Sequence, residues 1–189
     1  MNMYRISTHP QVQYTLPMLT KWLFYHLQSR PIDKITIEQI CQQAELSRRT
    51  FYRNCECKED LVLYACDLLL EQLLSSVDFT STHARAMYQN FFRFWYEHRM
   101  FLRALYQGNL FPLFAARFIE SCDPQTRFPL QQYALRNHRQ PEAAMRFSNA
   151  FILGGLVNML LSWSAEDFKS SPEDLAASLL FLLPKEYRR

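Results

Sequence analysis

Three consecutive residues, Arg48, Arg49 and Thr50, carry side chains suited to reading the edge of a base pair. A guanidinium can grip guanine through two parallel N–H donors, and threonine offers a base either a hydroxyl or a methyl. Around them stand groups suited to phosphates: Thr36, Ser47, Tyr52, Asn54 and Lys58. Hydroxyl, amide and ammonium donors of this kind set position on a nucleic-acid backbone without reading its sequence. Between residues 48 and 58, Arg48, Arg49, Arg53 and Lys58 are offset by one acid, Glu56. Such a cluster releases counterions from phosphates, so binding through it depends steeply on salt. The plain alternative is a helical hairpin with a solvated basic face.

The elements needed to hold these side chains are legible around them. Thr36 and Gln39 have the spacing of a capping box and open a short helix. Ile37, Ile40, Cys41 and Ala44 form its buried face, and Ala44 is small where two helices would cross. A tight turn follows at Glu45-Leu46, with Leu46 plugging it into the core. Ser47 then caps a second short helix from Arg48 to about Arg53. Ser47 and the first backbone donors of that helix can face a phosphate. Two short helices joined this way make a helix-turn-helix, whose second helix enters the major groove by its N-terminal end.

The rest of the chain repeats apolar residues at three and four positions, the helical period. Leu16, Leu19, Leu23 and Leu27 share one face of a first helix. Pro17 is awkward there, because it lacks a backbone donor and clashes with the preceding turn. Either Thr15 caps the helix with Pro17 in its first turn, or an earlier helix is kinked at Pro17. A longer helix is expected from about Lys58 into the mid-seventies, and SSVDFTST reads as a hinge. Breaks are expected at Gly108-Asn109, Cys122-Asp123-Pro124 and Arg139-Gln140-Pro141. A long helix should cover about 142–164. Ser171 should then cap a last helix, with Pro172 in its first position, that ends near Pro184.

Bulk composition agrees with an all-α chain and narrows the chemistry. Of 189 residues, 49% are hydrophobic and 21% charged, so a real core can form. There are only 3 glycines, which argues against sheet-rich folds and phosphate-cradling loops. The net charge of +3 permits a nucleic-acid partner without demanding one. Five cysteines without a framework, Cys41, Cys55, Cys57, Cys66 and Cys122, fit reduced thiols in a cytoplasmic protein. Cys55-Glu56-Cys57 is too closely spaced for most zinc sites. Cys57, beside Lys58 at a helix start, is the thiol whose pKa could be lowered. His26, His83, His98 and His138 make no ligand spacing, and no nucleophile–base arrangement can be assembled. Neither a metal, a cofactor nor enzymatic activity is expected. No apolar run reaches membrane-spanning length, and the first residues do not form a signal peptide.

The stretch KITIEQICQQAELSRRTFYRNCECKEDLV resembles the TetR/AcrR family of transcriptional regulators. The match runs over about residues 14–75, and Thr50-Phe51-Tyr52-Arg53 followed by Lys58-Glu59 is its most recognisable part. The resemblance implies phosphate contacts from Thr36, Ser47, Tyr52 and Lys58, and base readout by Arg48, Arg49 and Thr50. Three positions depart from the family pattern. Glu45 stands where the family has Gly, Asn54-Cys55 replaces a His-Phe pair, and Cys57 replaces a polar cap. Asn54 can still donate to a phosphate, and Cys55 predicts looser packing beneath the recognition helix. FRFWYEHRMFLRAL, FILGGLVNMLLSW and SSPEDLA resemble the C-terminal half of the subgroup that includes the dihydroxyacetone-kinase operon regulator.

That resemblance implies a DNA-binding domain over 1–57 and a dimerisation and ligand domain over 58–189. The aromatic stripe from Tyr88 to Tyr96 has two readings, core packing or the wall of an apolar ligand cavity. For a cavity the candidates are Tyr88, Phe92, Trp95, Phe118, Tyr133 and Phe151. For an isologous dimer built as a four-helix bundle they are Leu156, Met159, Leu160, Trp163, Leu175, Leu179 and Leu182, with Gly154-Gly155 allowing close approach. The expected function is a homodimeric regulator, a repressor for preference, on a pseudo-palindromic operator in double-stranded DNA, with a small-molecule effector as a further partner. The alternative is a TetR-like interaction protein that works through a protein partner.

Overall fold

The computed structural model describes residues 10–79, 83–122 and 142–182. Among these residues every regular element is helical. In chain order they are α1 (Pro10–Leu27), a 3-10 turn (Ile32–Lys34), α2 (Ile37–Gln43), α3 (Arg48–Asn54) and α4 (Glu59–Ser76). The series continues with α5 (Ala84–Glu97), α6 (Arg99–Gln107), α7 (Phe111–Cys122), α8 (Glu142–Ala165) and α9 (Pro172–Leu180). None of the described helices is long and apolar enough to cross a membrane.

α1 starts at Pro10 and continues through Pro17, so Thr15 does not cap it. Pro17 lies on the exposed side, while Leu16, Leu19, Leu23 and Leu27 are all buried. α1 is the hub of the head: it packs against α2, α3 and α4, and also against α6. α4 reaches from α1 to α7, where Asp67 and Arg117 join through a two-pronged ion pair. The boundary expected at 57/58 therefore falls in a turn, and one apolar core continues across it.

Ring-on-ring contacts fill the centre of the body. Trp95 lies 5.3 Å from Phe114 and 6.5 Å from Phe118, and Phe91 lies 5.1 Å from Phe92. Offset and edge-to-face pairs of this kind add to the gain from burial itself. α8 supplies Trp163, 6.0 Å from Phe92, and α9 is held on α5 in part by Arg93 and Glu173. Ser171 caps α9 reciprocally with Asp174, and the helix ends at Leu180, short of the expected Pro184.

Three helices end in the same way. Glu45, Asn109 and Asp167, two residues past the ends of α2, α6 and α8 respectively, each take a positive φ of 55–57°. In each case the next residue donates back across the turn: Leu46 to Cys41, Leu110 to Leu105 and Phe168 to Trp163. This pattern satisfies carbonyls that the helix end would otherwise leave open. Gly108, just before Asn109, is required for space. A Cβ there would stand 2.9 Å from Leu27 Cδ2 and 2.8 Å from Leu110 Cδ1.

Candidate nucleic-acid interface

α2 and α3 are each seven residues long and meet across the turn at Ala44–Leu46. Ile40, Cys41 and Ala44 bury one side of α2, and Phe51 anchors α3 with no exposed surface. Anchoring through Phe51 leaves Arg48, Arg49, Tyr52 and Arg53 on the solvent side. The caps are those read from the sequence. Gln39 N donates to Thr36 Oγ1 at 3.2 Å, and Thr36 N donates to Gln39 Oε1 at 3.0 Å. Thr50 N donates to Ser47 Oγ at 3.0 Å, and the two hydroxyls lie 2.9 Å apart.

The arginines differ. The Tyr52 hydroxyl, one turn on, holds the Arg48 guanidinium charged above its usual range, and Glu38 on α2 adds to this. Arg49 and Arg53 have no ion pair or hydrogen-bond partner among the described residues. Arg49 is therefore free to aim its fork at a ligand.

Two expected phosphate donors are corrected. Asn54 is buried, at 2% exposure, and its Nδ2 donates to Thr50 O at 2.7 Å. Its amide closes the end of α3 and does not point outward. Lys58 turns its ammonium inward, donating to Ile32 O at 2.7 Å and Ile35 O at 2.6 Å. It thereby fastens the loop before α2 to the start of α4, with two of its three protons engaged. Neither orientation is visible in sequence, because both sets of partners are backbone carbonyls.

Asp60 is the functional support that sequence reasoning missed. Its buried Oδ2 accepts from Glu56 N at 2.6 Å and Cys57 N at 3.2 Å, holding the turn that follows α3. A Lys-Glu-Asp run at a helix start was the available signal, since carboxylates favour that end of a helix. The thiol expectation is also corrected. Burial, with Glu59 and Asp60 close by, pushes Cys57 up to about 11. Cys55 is buried, and burial pushes its thiol up to about 12. Among the described residues no group of three His, Cys, Asp or Glu forms a metal site.

In the body, Tyr88, Phe92, Trp95 and Phe118 are all buried, and the rings of the last three belong to the packed aromatic core. Phe151 does not lie across from them: it is 78% exposed on the outer side of α8. Tyr133 lies outside the described residues. His98 closes α5, its Nδ1 2.8 Å from Phe94 O.

The residues expected at a dimer face do not share one exposed side. Leu156, Leu160 and Trp163 are buried within the protomer, and Trp163 Nε1 donates to Ser170 O at 3.0 Å. Met159, Leu175 and Leu179 are half-buried, and Leu182, beyond α9, is exposed. The outward side of α8 carries Phe151, Gly155, Asn158 and Ser162 instead.

Residues 82–185 match the TetR-type family described as "Transcriptional regulator C-terminal region". Among solved structures, the chain is similar to a TetR transcriptional regulator from Streptococcus agalactiae 2603V, at 21% identity and a TM-score of 0.66. That match covers 93% of this chain and 96% of the other. It is also similar to the structure titled dihydroxyacetone kinase operon activator DhaS, at 16% identity and a TM-score of 0.57, covering 89% of this chain and 93% of that one. No curated protein matches the sequence.

Proposed function

The chain belongs to the TetR family of transcriptional regulators, and on that premise we propose that it binds double-stranded DNA as a homodimer through α3. The observation that carries this reading is the exposed row on α3, Ser47, Arg48, Arg49 and Tyr52, held rigid from behind by Phe51, Asn54 and Asp60. A base-reading side chain must be presented on a well-packed element, and this row is. Thr36, Ser47 and Tyr52 take the phosphates, and Arg48 and Arg49 read base edges with Thr50 beside them. Two copies related by a two-fold axis would read a pseudo-palindrome in successive major grooves.

The copies meet through the outward side of α8 and through α9, where Phe151, Met159, Leu175, Leu179 and Leu182 supply apolar surface. Control by a small-molecule effector fits the joint between head and body. Phe24 stacks on Phe101 at 5.2 Å, and Gln28 donates to Met100 O at 3.0 Å. A ligand that favours one placement of α6 acts on the head through these contacts, to the extent that it binds the two placements unequally.

Selection of bound sequences from a random duplex pool tests the reading. A two-fold symmetric site is expected. Arg49→Ala should flatten preference at one position per half-site, with a loss of roughly 1–3 kcal/mol of discrimination. Enrichment of no sequence, together with binding insensitive to salt, would move the head to the alternative role of docking a protein partner.

A further inference from the structure

Two kinds of contact hold α4 between the head and the body. Along the helix, Leu61, Val62, Leu70 and Leu73 are buried in the common core. Apolar burial is non-directional, so a helix held by it alone can tilt slightly at little cost. The other kind of contact is directional. Near the middle of α4, Asp67 meets Arg117 of α7: Nε of Arg117 donates to Asp67 Oδ1, and its Nη2 donates to Oδ2 at 2.7 Å. A guanidinium fork on a carboxylate fixes orientation as well as distance. The Arg117 and Asp67 side chains are 18% and 22% exposed, so water screens this pair less than one on the open surface. At the α1–α6 joint, by contrast, the contacts are a ring face and a neutral hydrogen bond.

The head end of α4 is tied separately. Asp60 holds the turn after α3, and Lys58 holds the loop before α2. The first turn of α4 is thereby joined to the recognition helix. From Glu59 to Asp67 is about 12 Å of helix rise, so a tilt of about 10° at Asp67 displaces the start of α4 by roughly 2 Å. In a two-fold dimer the two displacements sum to about 4 Å, close to the rise of a single base pair.

We propose that Asp67 and Arg117 are positioning residues for operator binding: their two-pronged pair sets the tilt of α4 on α7, and with it the half-site spacing that the two recognition helices accept. Glu120 supplies the internal control. It also accepts from Arg117, Nη1 to Oε2 at 2.8 Å, but it lies on α7 itself and is exposed. It therefore balances the charge of Arg117 without bridging to α4. Replacing Asp67 by its neutral amide removes the bridge and leaves Arg117 paired with Glu120. The inference rests on the DNA-binding homodimer read above and adds what fixes the separation of its two heads.

Selection from a random duplex pool with the full chain, read for the distance between half-sites, tests the proposal. The unaltered chain should enrich a single spacing. Asp67→Asn should enrich the same half-site sequence at that spacing and at its neighbours, with affinity for the original site lower by about tenfold. Arg117→Lys keeps the charge but loses the fork, and should broaden the spacing to a smaller extent. Glu120→Gln should leave the spacing as it is. A mere loss of stability would weaken binding at every spacing alike and leave their ranking unchanged. An unaltered single spacing for Asp67→Asn and Arg117→Lys would overturn the proposal, and the DNA-binding reading would still stand. Broadening by Glu120→Gln equal to that of Asp67→Asn would overturn it too, because Glu120 does not reach α4. If Asp67→Asn does not fold, Arg117→Lys decides alone. Enrichment of no site by the unaltered chain would remove the DNA-binding reading and this proposal together.

Discussion

The head, α1 to α3, and the body, α5 to α9, are both helical and share one core, but different forces specify them. In the head the decisive contacts are hydrogen bonds over three or four residues: Thr36 with Gln39, Ser47 with Thr50, Asn54 with Thr50. In the body they are ring contacts between helices distant in sequence, such as Trp95 with Phe114 and Phe92 with Trp163. A locally specified unit can keep its outer face free for recognition, since few of its polar groups depend on that face. A unit specified by long-range packing turns its aromatic surface inward, and only what is left over can meet a second copy.

The contrast can be broken by substitution, and the largest effect is expected in the body. Trp95→Ala should lower stability by about 4 kcal/mol in denaturant unfolding, because it empties the centre of the aromatic cluster. A cost below about 1 kcal/mol would mean the rings are loosely packed, and the ligand-wall reading would regain ground. In the head, Lys58→Ala should cost about 2 kcal/mol, since it strips a charged donor from the Ile32 and Ile35 carbonyls. Its effect on the salt dependence of DNA binding should be smaller than that of Arg49→Ala. The reverse ranking would return Lys58 to the phosphate backbone.

A smaller and opposite effect is expected at the turn. Glu45 holds a positive φ of 55° that glycine adopts without strain. Glu45→Gly should therefore raise stability by about 1 kcal/mol, seen as a higher melting temperature. An unchanged or lower value would show that the side chain is compensated there.

The smallest effect concerns pH. Burial, reinforced by Arg30, lowers the pKa of His26 below its ordinary 6.5. The folded head then prefers neutral histidine, and the unfolded chain takes up the proton first. Stability from this group is complete above about pH 6.5 and declines as pH falls below it. His26→Gln should flatten that part of the stability-against-pH curve, and an unaltered slope would assign the loss to other groups.

Much of the head is legible in the sequence, because its signals are short-ranged. Capping boxes, a small residue at a crossing and an apolar plug in a turn act within a few positions of one another. The misplaced donors share one cause: Asn54 and Lys58 donate to backbone carbonyls, and every residue has one. In the body, the apolar period announces α8 and α9 but not which way α8 faces. Leu156, Leu160 and Trp163 turn inward, and Phe151 turns out. Both faces of α8 carry apolar residues, so periodicity along that helix could not rank them.

By itself, then, the sequence determined the helical class, the order of the helices, their caps and breaks, and the basic row on α3. Those features follow from backbone donors, proline, glycine scarcity and charge, all read within one or two turns. The tertiary structure alone decided which polar side chains support α3 and which stay exposed on it. It also decided which side of α8 is left exposed. The rotation of a helix about its axis is set by whatever covers it, and α8 is covered mainly by α6 and α7, helices earlier in the chain.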